Sequence, residues 1–140
     1  MCRVGIGLYG LQPAETTAPR IQLDPVMSVR GRVTRAIYPN VGDGVGYGLT
    51  WRVPKQNMQV ATVPIGYADG LSRQLSGRVS FLLRGVRVPV VGRICMDMCM
   101  VDVTQVPEAR VGDQVTVLGD GKDGAPSACD LAGQRGDHRL

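Results

Sequence analysis

Val79-Ser80-Phe81-Leu82-Leu83-Arg84-Gly85-Val86-Arg87-Val88-Pro89-Val90-Val91 reads as two apolar runs around Arg84-Gly85. Valine-rich runs of this kind favour extended chain, and glycine supplies the positive φ that a tight hairpin turn needs. The next stretch is Gly92-Arg93-Ile94-Cys95-Met96-Asp97-Met98-Cys99-Met100-Val101-Asp102-Val103. It reads on as a buried strand, with Asp97 set among methionines and cysteines. An ionised carboxylate in apolar surroundings is costly unless it is paired or hydrogen-bonded. The stretch is therefore marked as a place where function overrides packing.

Working outward, residues 26–37, 59–65, 79–83, 87–94, 98–103 and 114–118 carry the alternation and β-branched enrichment of strands. Turn signals separate them: Pro39-Asn40, Gly42-Asp43-Gly44, Ala68-Asp69-Gly70 and Val111-Gly112-Asp113. With 19 glycines and 9 prolines, this spacing predicts a mostly β domain, a small Greek-key-like barrel or sandwich. Residues 1–12 read as a compact apolar strand with Arg3 near its start, and 13–19 as a connector. Residues 132–140 have no apolar period and are expected to be disordered.

Composition excludes several classes. The 140 residues suit one domain, and an apolar content of 44% suffices for a core. No apolar run approaches the roughly 20 residues of a membrane span, and the N-terminus lacks a secretory pattern. Cys2, Cys95, Cys99 and Cys129 have neither disulfide-framework density nor zinc-ribbon spacing, so free thiols in a reducing cytoplasm are expected. The net charge of +4 comes from dispersed arginines, with near-clusters only at Arg30-Gly31-Arg32 and at 84–87. Aromatic residues make up 4% and do not interleave with a basic stripe, so solvated surface charge is favoured over nucleic-acid binding.

The only histidine, His138, lies in the polar tail, which leaves Ser-His-Asp and Cys-His catalysis without a base. Cys95 and Cys99, four apart, would share one face of a strand. No third ligand has a matching spacing, so buried structural thiols are favoured over a metal site. No phosphate-cradling or dinucleotide fingerprint is present. Two tyrosines remain, set in glycine turns: Val45-Gly46-Tyr47-Gly48 and Ile65-Gly66-Tyr67-Ala68-Asp69-Gly70. A phenol with an ordinary pKa of about 10 needs a nearby cation before it can act as a base. On spacing alone, rings that cap a barrel and donate a hydrogen bond are the more economical reading.

Four segments change that balance. They are Arg3-Val4-Gly5-Ile6-Gly7-Leu8-Tyr9-Gly10, Gly42-Asp43-Gly44-Val45-Gly46-Tyr47-Gly48, Pro64-Ile65-Gly66-Tyr67-Ala68-Asp69-Gly70 and Gly92-Arg93-Ile94-Cys95-Met96-Asp97. In this order, and at matching intervals from residue 3 to residue 131, they resemble the C-terminal part of the alanine racemase family. The resemblance implies an N-terminal α/β barrel that holds pyridoxal 5′-phosphate, followed by a C-terminal β domain. Residues 1–22 would be the last barrel strand and its loop, 23–131 the β domain, and 132–140 an atypical tail.

The resemblance also implies a function. Members interconvert L- and D-alanine by two-base proton transfer, with pyridoxal phosphate as electron sink, and supply D-alanine for peptidoglycan. A barrel lysine works on one face of the substrate and a tyrosine, matched by Tyr47, on the other. That tyrosine projects into the active site of the partner subunit in a head-to-tail homodimer. Arg3 matches the arginine facing the pyridine nitrogen, and Gly5 and Ile6 match the turn that holds the phosphate. Met96 matches the residue whose backbone N–H meets the substrate carboxylate. Tyr67, Arg73 and Asp97 resemble residues of the substrate entrance channel.

Two departures accompany these matches. The Schiff-base lysine belongs to the barrel, and this chain's only lysines, Lys55 and Lys122, do not match it. The ending after residue 132 lacks the family's Tyr-Glu pair, as a frame change would produce. The chain is therefore expected to be a fragment that is inactive alone. A subunit complementing a separate barrel chain and a non-catalytic β module are the alternatives.

Overall fold

The computed structural model describes residues 1–14 and 21–135. Among the described residues nine strands form: β1 (Val29–Arg32), β2 (Arg35–Ile37), β3 (Gly44–Val45), β4 (Trp51–Arg52), β5 (Val60–Val63), β6 (Ser80–Leu83), β7 (Val86–Val91), β8 (Cys99–Asp102) and β9 (Gln114–Leu118). One helix, α1 (Ala128–Arg135), follows them. The expected hairpin is present. Leu83 pairs with Val86, and Arg84 (φ 49°) and Gly85 (φ 80°) both take positive φ. That is the turn geometry whose twist matches the right-handed twist of its strands. Arginine tolerates the unfavourable φ because its guanidinium is clamped, donating at 2.9 Å from Nε and from Nη2 to the two oxygens of Asp113.

Strands β6, β7 and β8 follow one another across the sheet, and β9 returns to lie beside β6. This is a Greek key. The whole antiparallel sheet runs β1-β9-β6-β7-β8-β5-β2, so its two outermost strands are consecutive in the chain. Residues 26–37, expected as one strand, are divided at Val33-Thr34 because the chain changes partner there. The Val33 N–H donates to Asp113 C=O and the Thr34 N–H to Thr62 C=O, each at 2.9 Å. The mostly β, Greek-key-like expectation holds, and the sheet is curled.

Alternation along the strands aims Phe81, Leu83, Val88, Val90, Val101, Val115 and Val117 into one interior, together with Val33, Ala61, Val63 and Cys99. Gly31 lies against this interior, where a Cβ would come 2.8 Å from Val63 Cγ1 and 3.2 Å from Ile65 Cδ1. A second, smaller cluster holds Val60, Val91 and Met100, covered by Val45 and Trp51 of the β3–β4 ribbon. It fastens that ribbon to the sheet.

Three expectations are corrected. The stretch from Val91 to Val103 is not one buried strand. Gly92 (φ 69°) ends β7, the chain turns, and β8 begins at Cys99. The Cys95 N–H donates to Met98 C=O at 2.9 Å, which places Met96 and Asp97 at an exposed two-residue tip. The cost of burying Asp97 therefore does not arise. Residues 1–12 form no strand; Gly5–Tyr9 is a 3-10 turn closed by the Gly10 N–H on Gly7 C=O at 3.0 Å. Glycines at 5, 7 and 10 favour such turning over an extended ladder. Residues 132–135 continue α1 rather than fraying, and 136–140 lie outside the described residues. Ser127 and Asp130 cap that helix reciprocally, and Leu131 packs on the core.

Candidate active site

Tyr47 is carried between β3 and β4, whose register pairs Gly44 with Arg52 and Val45 with Trp51. Gly46 (φ 79°) breaks the extended chain, and Tyr47–Leu49 winds into a 3-10 turn in which the Leu49 N–H reaches Gly46 C=O at 3.2 Å. The turn cannot bury its ring against its own ribbon, and Tyr47 is 71% exposed. Its backbone is nonetheless held. Gly46 lies against the backbone of Arg93, and Gly92 against the Val45 carbonyl.

Tyr67 opens a second 3-10 turn, Tyr67–Asp69. Asp69 Oδ2 accepts the Gly66 N–H at 2.9 Å and closes the turn on itself. The Tyr67 N–H then donates to Cys95 C=O at 3.0 Å, and the Ala68 N–H to Met96 C=O at 2.9 Å. The turn is thereby docked on the Met96-Asp97 tip. Arg73, in the adjoining turn Arg73–Leu75, places its guanidinium 5.5 Å from the Tyr67 ring centroid. That is a cation–π contact. Ser76 ties this turn to the tip's approach: its hydroxyl donates to Arg73 C=O at 2.6 Å and accepts the Ile94 N–H at 3.0 Å.

These elements surround an open cleft of about 410 Å³ lined by Tyr47, Tyr67, Arg73, Ile94, Cys95, Met96 and Asp97. Five of the residues singled out in the sequence thus share one concavity, although they come from three separate loops. The cleft presents two phenols, a guanidinium, a carboxylate and the apolar side chains of Ile94 and Met96. The Met96 N–H has no partner among the described residues, while its carbonyl is taken by Ala68. A free N–H in a cleft that also holds a guanidinium suits a small carboxylate, and a phenol lining the same cleft can exchange a proton with a neighbouring atom.

Arg3, Gly5 and Ile6 do not line this cleft. They lie on the N-terminal turn, where Arg3 and Gly5 are exposed and Ile6 faces a separate cavity of about 90 Å³ with Tyr9, Leu11 and Met27. Neither Lys55 nor Lys122 lines the cleft, and Lys122 pairs with Asp24 at 3.2 Å. Cys95 and Cys99 do not share a face, because the loop separates them. Cys99 sits in the interior core, and Cys95 packs on the outer cluster and lines the cleft. Burial, with the neighbouring Cys95 adding to it, pushes the Cys99 thiol up to about 12. Ile94 and Cys95 were missed as cleft residues because the strand reading made them ordinary core. The signal was Gly92, whose interruption of the apolar run marks the turn.

Residues 26–139 match the family model for the alanine racemase C-terminal domain. The match includes 132–139, where no likeness was expected. An alanine racemase of Desulfovibrio desulfuricans is 50% identical over 119 residues, covering 85% of this chain and 32% of that protein. One of Sorangium cellulosum is 47% identical over 138 residues, covering 96% of this chain and 36% of that protein. The chain therefore spans about a third of the length of these curated relatives. Among solved structures, alanine racemase from Bacillus anthracis with bound L-Ala-P superposes with a TM-score of 0.82 at 38% identity. That superposition covers 94% of this chain and 34% of the other. The enzyme from D-cycloserine-producing Streptomyces lavendulae gives 0.84 at 34% identity, covering 94% and 35%. With a matching domain model, half-identical relatives and the same curled sheet, the chain belongs to the alanine racemase family, as its C-terminal β domain.

Proposed function

We propose that this chain supplies one wall of the active site of an alanine racemase, a cytoplasmic isomerase that interconverts L- and D-alanine and supplies D-alanine for peptidoglycan. The observation that carries this reading is the gathering of Tyr47, Tyr67, Arg73, Met96 and Asp97 on one cleft, in a chain of that family. When bound, pyridoxal phosphate supplies the electron sink that acidifies the substrate Cα–H. Off the cleft, the exposed Arg3 and the Gly5–Tyr9 turn are the chain's candidates to hold that group. Arg3 would face its ring nitrogen as a permanent cation, and the N–H groups of Gly5 and Ile6 would meet its phosphate. The covalent lysine has no counterpart here, because both lysines of the chain lie off the cleft.

The roles of this chain's own residues follow. Tyr47 Oη enters as phenolate, with the Arg93 guanidinium that flanks its turn at Gly48 as the nearby cation. It takes a proton from one face of the substrate carbon of L-alanine and, as phenol, returns it there in the reverse direction. The free Met96 N–H holds the substrate carboxylate. Tyr67, braced by Arg73, and Asp97 narrow the entrance to the size of a small amino acid. Tyr47 is exposed on its own subunit, as a residue that completes the site of a second subunit in a head-to-tail homodimer would be.

The test combines this chain with a barrel fragment and follows exchange of the alanine Cα hydrogen with deuterated solvent, starting from each enantiomer. Tyr47→Phe is expected to slow exchange from L-alanine by about 10²–10⁴-fold, the usual worth of a general base, while the cofactor stays bound. Undiminished exchange, or loss of the cofactor, overturns the assignment. The chain alone, mixed with pyridoxal phosphate and dialysed, is expected to retain no Schiff-base absorbance.

A further inference from the structure

The glycines of this fold with positive φ differ in what a Cβ would meet. At Gly42, Gly70, Gly77, Gly85 and Gly112 a Cβ would meet nothing within 4 Å, so only the dihedral calls for glycine. Gly92 is different. Its φ is 69°, and a Cβ there would lie 2.6 Å from the Val45 carbonyl oxygen, 3.2 Å from the Val45 carbonyl carbon and 3.6 Å from Gly46 Cα. These are backbone atoms, which cannot swing aside as the tip of a side chain can. The contact is reciprocal. A Cβ on Gly46 would lie 3.0 Å from the Arg93 nitrogen and 3.2 Å from its oxygen. Two backbones thus meet with no Cβ layer between them, and Val45-Gly46 leads directly into Tyr47.

The ribbon that bears Tyr47 is short: it pairs Gly44 with Arg52 and Val45 with Trp51, and is continued by the Val53 N–H on Asp43 C=O at 3.0 Å and the Gly42 N–H on Val53 C=O at 2.9 Å. A ribbon of that size has no stability of its own in water, so its placement comes from what it rests on. Its far end is held by the buried Val53, and its Tyr47 end rests on the outer cluster through Val45 and Trp51 and on Gly92 through its backbone. Gly92 also begins the loop whose tip is Met96-Asp97. One residue therefore registers two walls of the cleft against each other.

We propose that Gly92 is a positioning residue that sets, through Val45 and Gly46, where the Tyr47 phenol stands relative to Met96. The inference rests on the reading of Tyr47 as the proton-transferring group. A side chain at Gly92 forces the Val45 carbonyl back by somewhat less than about 1 Å, to ordinary contact distance, and carries the phenol with it. A misplacement of that order costs about 10²-fold in the chemical step while leaving binding groups elsewhere in place.

The test places 3-fluorotyrosine at position 47 of the full 140-residue chain and records its ¹⁹F resonance with the emission of Trp51, the only tryptophan. Gly92→Ala is compared with Gly85→Ala, which carries the same kind of φ strain in open space. Gly92→Ala is expected to shift the ¹⁹F resonance and move Trp51 emission to the red, whereas Gly85→Ala changes neither. Should Gly92→Ala fail to fold, Gly46→Ala addresses the same contact from the other side with milder overlap, and the same shifts are expected in smaller measure. Unmoved ¹⁹F and tryptophan signals in the folded variant overturn the proposal. In the assembled enzyme, Gly92→Ala is expected to lower kcat about 10–10²-fold with KM within about 3-fold. If Tyr47→Phe leaves exchange intact, the reading of Tyr47 fails; if it abolishes exchange while Gly92→Ala alters neither signal nor kcat, only the positioning role fails.

Discussion

Asp97 shows how a residue can be correctly singled out for a mistaken reason. Its setting among methionines suggested a buried carboxylate, but it stands on an exposed tip beside the cleft. Apolar neighbours in sequence become apolar neighbours in space only while the strand continues, and Gly92 ends it. Tyr47 was legible only through the resemblance of its segment, because glycine spacing alone favoured a ring packed as a cap, whereas the ring stands 71% exposed. Cys99 is the reverse case, a sulfur wholly enclosed by the core. Its thiol, pushed up to about 12 by burial, should resist alkylation at pH 8 until the protein unfolds. Mass spectrometry of peptides after native and denatured labelling checks this. Cys99→Ser should lower stability by about 1–3 kcal/mol, the cost of an unsatisfied buried hydroxyl, read from the urea midpoint. Gly31→Val should cost a similar amount, about 1–3 kcal/mol, by overpacking against Val63.

Among the elements, the β6–β7 hairpin was the easiest to foresee, because both its strands and its turn are specified by adjacent residues. The N-terminal segment was not, since an apolar run of that length has no local feature separating a strand from a 3-10 turn. The helix α1 escaped notice because it is short and weakly amphipathic, and its definition comes from its cap. The Ser127 N–H donates to Asp130 Oδ2 at 2.8 Å, and the Asp130 N–H returns a bond to Ser127 Oγ at 3.1 Å. The Ser127 N–H, together with the Ser127 hydroxyl that donates to the same oxygen at 2.9 Å, holds the Asp130 carboxyl below its ordinary range. Ser127→Ala should cost about 0.5–2 kcal/mol, with accelerated amide exchange confined to residues 128–135.

At the scale of the whole molecule, the Greek key was legible as a class, but the change of partner at Val33-Thr34 was not. Strand pairing is decided by residues distant in sequence, here Asp113 and Thr62. One such distant tie should govern acid stability. Arg84 links the β6–β7 turn to the approach to β9, and its hydrogen bonds hold Asp113 below the ordinary carboxylate range, with the Arg110 backbone N–H adding to the effect. A depressed native pKa gives stability that is present above the unfolded value, about 3.9, and is lost as pH falls through the native one. The midpoint of urea unfolding should therefore drop below about pH 4, and Asp113→Asn should flatten that limb while lowering stability at neutral pH. The edges of the curled sheet bear on solubility. β1 and β2 are four and three residues long, and they expose Arg30, Arg32 and Arg35 to solvent. Short, charged borders repel the addition of a foreign strand, so the scattered arginines act as guards against fibril growth. Replacing the three with threonine should leave the fold intact yet raise light scattering on storage.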